Sequence, residues 1–227
     1  MKFDYTIQKS VKRRKLTITV ERDRRVVIHA PDGTSDETIQ KVVESKRQWI
    51  HDKISHSQKY QDLPHAPGKE LVSGESALYL GRQYRIEVVK SGLSKIQFSR
   101  CFLLPAAQGK QRTAALREWY IEKAKEKLVP RVKHHAHELG VDVAEIKIVD
   151  NRYRWGSCTL HDNVNLNWRL IKAPMFVIDY VIIHELAHLI EANHTSRFWN
   201  IIRAQSPTME AAKAWLKEHG QLLEQQI

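Results

Sequence analysis

The residues with the most chemistry in this 227-residue chain fall in one short stretch. His184, Glu185 and His188 form H-E-x-x-H, a spacing that suits a metal-binding helix. An α-helix turns about 100° and rises ~1.5 Å per residue, so positions i and i+4 lie one above the other. The imidazoles of His184 and His188 can therefore reach a single metal ion. Glu185 is offset around the helix, where it can touch a water in the open coordination position without ligating the metal. Three protein ligands and one open position are what a catalytic zinc site needs. The chemistry is attack by an activated water, with the carboxylate as general base.

The third ligand is best assigned to His194. On an uninterrupted helix it would lie ~9 Å further along the axis than His188, whereas zinc–nitrogen bonds are about 2.0–2.1 Å. The helix must therefore stop after His188 and the chain must turn back. Asn193 is the expected turning residue, because Asn tolerates the left-handed conformation that ends helices. The spacing of the three histidines is that of metzincins, with Glu191 where those have glycine. Glu191 is the rival third ligand, but on a continuous helix it lies too far from His184. H-E-x-x-H also arises by chance. Here the apolar flanks Tyr180–Ile183 and Leu189-Ile190 describe a buried helix, and two histidines and a glutamate inside one need partners. A metal site is the better reading.

The rest of the chain must position this helix. Its net charge of +11 (37 basic against 26 acidic residues) favours polyanionic partners about as much as a plain basic surface. The N-terminus is too polar for a signal peptide, and no apolar run is long enough to span a bilayer. Cys101 and Cys158 form no close pair, so structural disulfides are not expected and a cytoplasmic protein is. Residues 3–30 read as β structure, with a hairpin from Leu16–Val20 to Val26–Ile28 around the charged turn Glu21–Arg25. Ser35 or Asp36 caps a helix expected to run to about Tyr60. The cations Lys9, Lys12–Lys15 and Arg22–Arg25 suit nucleic acid, although charge runs on hairpins are usually solvated.

Residues 61–76 read as a loop. A second hairpin follows over Leu78–Val89, with short strands at Ile96–Phe98 and Phe102–Leu104 and a polar boundary at Gln108–Lys110. A long helical pattern then carries Leu116, Trp119, Tyr120, Ala124 and Leu128. Pro130 is expected to kink it or to start a new helix ending near Gly140. His134, His135 and His137 read as surface residues rather than ligands.

Residues 145–172 hold the second informative stretch. Glu145–Val149 alternates as a strand, and Val164–Leu170 is read as the returning strand. Pro174 falls in the first turn of the motif helix, where its missing N–H costs nothing. A hairpin feeding into such a helix lies along its cleft, and its edge strand can hold a peptide by backbone hydrogen bonds. Arg152, Arg154, Asn167 and Arg169 are the candidate substrate-binding residues, with Lys172 nearby. Neutral peptides do not need such cations, whereas phosphate groups do. The plain alternative is that some of them pair with Asp150, Asp162 or Asp179.

Arg154-Trp-Gly-Ser-Cys158, Leu166-Asn-Trp-Arg-Leu170, His184-Glu-Leu-Ala-His188, Asn193-His194 and Phe198-Trp199 resemble, in this order, the YgjP-like metallopeptidase family, itself related to the SprT-like and WLM zincins. Lys46–Ile50 and Leu80–Arg85 resemble it too, so the likeness covers most of the chain. The resemblance implies a zincin-type catalytic half, one Zn²⁺ per chain on His184, His188 and His194, and Glu185 as catalytic acid–base. It leaves the substrate open, because members of this family have also been described as nucleoside triphosphate pyrophosphatases acting on UTP. The expected fold is α+β. A β-rich N-terminal half with one helix (1–108) precedes a zincin-like catalytic half (109–227). The expected function is a zinc-dependent peptidase, with triphosphate hydrolysis as the alternative and a nucleic-acid-associated protein as a third class. Glu185 argues against that third class, since a structural metal needs no general base. Trp155, Phe198 and Trp199 are expected to pack the walls.

Overall fold

Alternating β-branched residues build the first strands, and a serine starts the first helix. The computed structural model describes residues 3–11, 13–20, 25–55, 70–90, 92–107, 109–151 and 154–224. The chain divides into two compact units, 1–66 and 67–227.

In the first unit, β2 (Thr17–Val20) and β3 (Val26–Pro31) form the expected antiparallel hairpin. β1 (Tyr5–Ser10) adds parallel to β3, giving the order β1-β3-β2. Ser35 caps α1 (Asp36–Ser45), its side chain accepting from the Thr38 N–H. The single helix expected here is two. Ser45 donates its hydroxyl to the Val42 carbonyl, Lys46 leaves the helical conformation at φ −107° and ψ 9°, and α2 (Arg47–Ser55) restarts. Val26, Ile28, Ala30, Ile39, Val43 and Ile50 form a core of their own. Lys9 pairs with Asp36, and Arg13 donates to the Thr17 hydroxyl. Lys12, Arg22, Arg24 and the expected helix end at Tyr60 lie outside the described residues, as does most of the expected 61–76 loop.

The second unit begins with β4 (Ser76–Tyr79) and β5 (Arg82–Val89), an antiparallel pair. Their two-residue turn, Leu80-Gly81, takes φ of 48° and 79°, the positive pair that hairpin twist demands. β7 (Phe102–Pro105) pairs parallel with β5, and β6 (Gln97–Phe98) lies antiparallel outside it. Tyr79, Phe98 and Phe102 pack edge-on or tilted against Trp119 of α3 (Gly109–Leu139) with centroids 4.9–5.6 Å apart. These strands, which the sequence grouped with the N-terminal half, share one core with the helices that follow. α3 runs through Pro130 without a break. Its apolar face (Leu116, Tyr120, Ala124, Leu128, Val132) is buried on both sides of the proline, and that packing outweighs the lost bond.

A three-stranded sheet then forms in the order β8-β10-β9, from β8 (Glu145–Val149), β9 (Gly156–Cys158) and β10 (Asn163–Asn167). β10 is parallel to β8 and antiparallel to β9, which leaves β9 at an edge. The returning strand is shorter than expected. The Asn167 side chain accepts from the Arg169 N–H and starts a 3₁₀ turn over Trp168–Lys172. The β4–β5 turn docks on that segment: Leu80 and Gly81 donate to the Ile171 and Lys172 carbonyls at 2.9 Å. A methyl on Gly81 would stand 2.6 Å from Pro174 Cγ. Pro174 is the cap of α4 (Met175–Ala187), one position before the first turn. α5 (Ser196–Gln205) and α6 (Met209–Glu224) complete the unit. Lys172, almost fully buried, donates to the Leu223 carbonyl and so ties the end of α6 to the 3₁₀ turn. Among the described residues no helix is long and apolar enough to cross a membrane, and both cysteines are free thiols.

Candidate metal centre

α4 is apolar nearly all round, with Val177, Ile178, Ile182, Leu186 and Ala187 at 0 % exposure, as befits a helix packed on several sides. His184 and His188 emerge from it one turn apart, ring centroids 5.2 Å from each other. The helix ends at Ala187 with His188 as its cap. Its last turn tightens: Leu189 N–H bonds to the Leu186 carbonyl, and the N–H groups of Ile190 and Glu191 both bond to that of Ala187. The chain then turns back. Thr195 caps α5 through its hydroxyl, which accepts from the Phe198 N–H. The required reversal is thus present, but Asn193 does not make it in the left-handed conformation. Among the described residues only Leu71, Leu80 and Asp162 take a positive φ without being glycine, and caps at both ends do the work instead.

The reversal brings the His194 ring to 5.1 Å from that of His184 and 4.9 Å from that of His188. One ring nitrogen from each histidine lies within 4.8 Å of the other two. Glu191 is outside this group. The Nε2 atoms of His184 and His194 are 3.2 Å apart. Two nitrogens on one tetrahedral zinc would be about 3.3 Å apart, given bonds of about 2.0–2.1 Å. Ligand histidines must also be neutral. Burial, then the neighbouring His188 and His194, push His184 down to about 4. Burial and His194 lower His188 as well, against hydrogen bonds that its ring donates to the backbone at Glu191 and Ala192. The three donors fit a divalent metal.

Glu185 is 8 % exposed. Burial pushes its carboxyl up to about 7, against the charge of Arg154 and a hydrogen bond with the Cys158 backbone. Room for it comes from Gly156, where an added methyl would stand 2.6 Å from Glu185 Cγ and 2.7 Å from Oε1. A cavity of about 380 Å³ opens beside these groups. β9 with Thr159 and Leu160 lines one part, His184, Glu185, His188 and Ala192 line another, and Arg154 joins them.

The candidate substrate residues divide. Arg154 is exposed and lines the cavity. Asn167 is buried, and its amide donates to the carbonyls of Asn151 and Arg154, so it supports the loop that carries Arg154. Arg169 pairs with Asp150 and lies 4.4 Å over the Trp168 ring. Asp150 also takes Arg117 at 2.6 Å. Burial raises its carboxyl, and the two arginines more than reverse this, to about 2. Arg152 lies outside the described residues.

Three supports went unread in the sequence. Gly156 makes space for Glu185. Asp179, on the motif helix, receives Arg131 and His135 from α3. His135, expected at the surface, has a side chain only 14 % exposed. The readable signal was a heptad-like apolar face on α3 with Arg131 and His135 one turn apart.

A helix with two histidines and a buried glutamate, a third histidine on a returning loop, and an edge strand beside them match the metallopeptidase class in sequence as well. The chain belongs to the YgjP-like family: the family model described as the YgjP-like, metallopeptidase domain matches residues 14–219. Two solved structures are similar over part of the chain. The metallopeptidase zymogen abylysin of Pyrococcus abyssi is 19% identical over 44% of this chain and 99% of its own, with a TM-score of 0.38. The zymogen jannalysin of Methanocaldococcus jannaschii is 21% identical over 42% and 97%, with a TM-score of 0.36. No curated protein matches.

Proposed function

We propose that this chain is a zinc-dependent peptidase in which Glu185 carries the proton. The observation that supports this best is the place of that carboxyl. It is buried and stands beside three clustered histidines on the wall of a cavity. A general base must lie within reach of the proton it takes. His184, His188 and His194 would hold the ion. When bound, zinc supplies Lewis acidity, polarising the attacked carbonyl and making water acidic enough to ionise near neutral pH. Glu185 accepts the proton of the attacking water and delivers it to the leaving amine. Arg154 offers positive charge to the developing oxyanion. β9, an edge strand along the cavity, suits an extended peptide. All these residues lie within 109–227, the region we assign to catalysis.

Hydrolysis of a nucleoside triphosphate such as UTP at the same centre is the second reading. Arg154 favours it, as a cation lining the cavity. Arg169 does not, because Asp150 already engages it away from the residues that line the cavity. A parallel assay on casein and the common nucleoside triphosphates separates the readings, using enzyme stripped by a chelator and then reloaded with zinc. Casein cleavage that disappears on stripping and returns with zinc is expected. Zinc-dependent triphosphate hydrolysis without casein cleavage would replace the peptidase reading.

A further inference from the structure

His184 and His188 are held by the helix that carries them; His194 is not. It sits on the exposed stretch between α4 and α5. Among the described residues its ring has one hydrogen-bonding neighbour, the Nε2 of His184, which faces the same ion in the metal reading. A histidine ligand normally donates its second nitrogen to a neighbouring oxygen, which sets the ring's orientation. No such partner is present for His194 among the described residues; the buried Nδ1 of His184 has none either, but that ring is carried by the packed helix α4.

Aromatic contact takes that place. Trp199 stacks on the His194 ring at 5.6 Å with 20° between the planes. Phe198 meets the same ring edge-on at 4.7 Å and 84°. Phe198 is fully buried and also stands 5.0 Å from His184 and 4.6 Å from His188, so it serves the whole cluster. Trp199 also stands 6.0 Å from the His184 ring, tilted by 58°, but it is on His194 that it stacks. It is itself secured from α6, where the Lys213 ammonium lies 5.2 Å from the indole and also bonds the Glu210 carboxylate at 3.3 Å. A cation at this range is attracted to an indole face.

We infer that Trp199 is a positioning residue for the third metal ligand, setting the His194 ring by stacking where a hydrogen bond would ordinarily do so. The inference rests on the three-histidine metal reading. Its consequence is that metal affinity depends on an aromatic face at 199 and not on apolar bulk alone.

The test is zinc competition against a chromophoric chelator, with metal-free melting curves alongside, for wild type, Trp199→Phe, Trp199→Leu and His194→Ala. Trp199→Leu should bind zinc about 10- to 100-fold more weakly, the usual cost of losing an outer support of a ligand. Trp199→Phe keeps a stacking surface and should stay within about threefold of wild type. The two should melt alike when metal-free. Leu binding zinc as tightly as Phe would overturn the inference, as would affinities that simply follow the metal-free melting temperature. The His194→Ala arm separates the two levels. If it binds zinc as wild type does, or if wild type binds none, the metal reading fails and the inference with it. If it alone weakens binding, only the role of Trp199 is lost.

Discussion

Asp179 and Glu185 are carboxylates six residues apart on one helix, and the protein holds them in opposite ways. Six residues is about 600° of helical rotation, so the two leave α4 on different sides. Asp179 meets α3. Burial raises its carboxyl, but hydrogen bonds from His135 and Arg131 more than reverse this, and it titrates below its ordinary 3.8. Glu185 meets β9, where Gly156 gives it space and a backbone group gives it a bond. Burial wins there, and the carboxyl rises to about 7. A carboxylate with charged partners in contact stays ionised and acts as a strut. One buried without a charged partner in contact is governed by burial and is the easier of the two to protonate.

The sharpest way to break this contrast is Gly156→Ala. The new methyl would overlap the Glu185 carboxyl at 2.6–2.8 Å, and a misplacement of about 1 Å can cost about 10²-fold in rate. We expect turnover to fall by about that factor while the melting temperature moves little. Measured kcat and a melting curve on the same sample check this, and an unchanged kcat would mean that Glu185 needs no defined position.

Asp179→Asn should do the reverse. It leaves Arg131 and His135 without their counter-charge. Breaking a fully buried pair costs about 3–5 kcal/mol, and this one is partly exposed, at 35% and 22% for the two side chains. About 2 kcal/mol is therefore expected in denaturant at pH 7, with turnover per folded molecule nearly unchanged. The folded-state pKa of Asp179 lies below its unfolded value. Its contribution is therefore complete above an unfolded pKa of about 3.9 and is lost as pH falls through the lower folded value. The gap between wild type and Asp179→Asn should close in acid. A gap that widened there would show that folding raises the pKa of Asp179 instead of lowering it.

Arg169→Ala should have the smallest effect. Its partner Asp150 is 40% exposed and keeps Arg117, so the loss should be about 0.5 kcal/mol. Peptide cleavage should stay within about twofold, because the lost interaction lies in the support rather than at the substrate. A tenfold loss confined to triphosphate hydrolysis would bring Arg169 back as a substrate contact.

What could be read in advance was local. H-E-x-x-H on an apolar run specifies a helix and one face of it, and a third histidine that is to share a metal with the first two requires a reversal before His194. A cap at Ser35 or Asp36, the 16–28 hairpin and the α+β class follow from the same short-range rules. The unread parts depend on residues far apart in the chain. Asp179 meets partners 44 and 48 positions away, and nothing near it in sequence signals them. Pro130 stays helical because distant elements bury both flanks of α3. Asn167 reads as a substrate contact until its amide is seen holding the Asn151 and Arg154 carbonyls. Gly156 gains its meaning only from a glutamate 29 positions later.

The most direct test of the account is the zinc content of Glu185→Gln, measured together with its turnover on a peptide substrate. Gln keeps the size and hydrogen bonding of Glu and removes the base. The predicted result is one zinc per chain, as in wild type, with turnover lower by about 10²-fold or more. Loss of zinc together with activity would contradict the account, since it would make Glu185 a structural support of the histidine cluster and not its proton carrier.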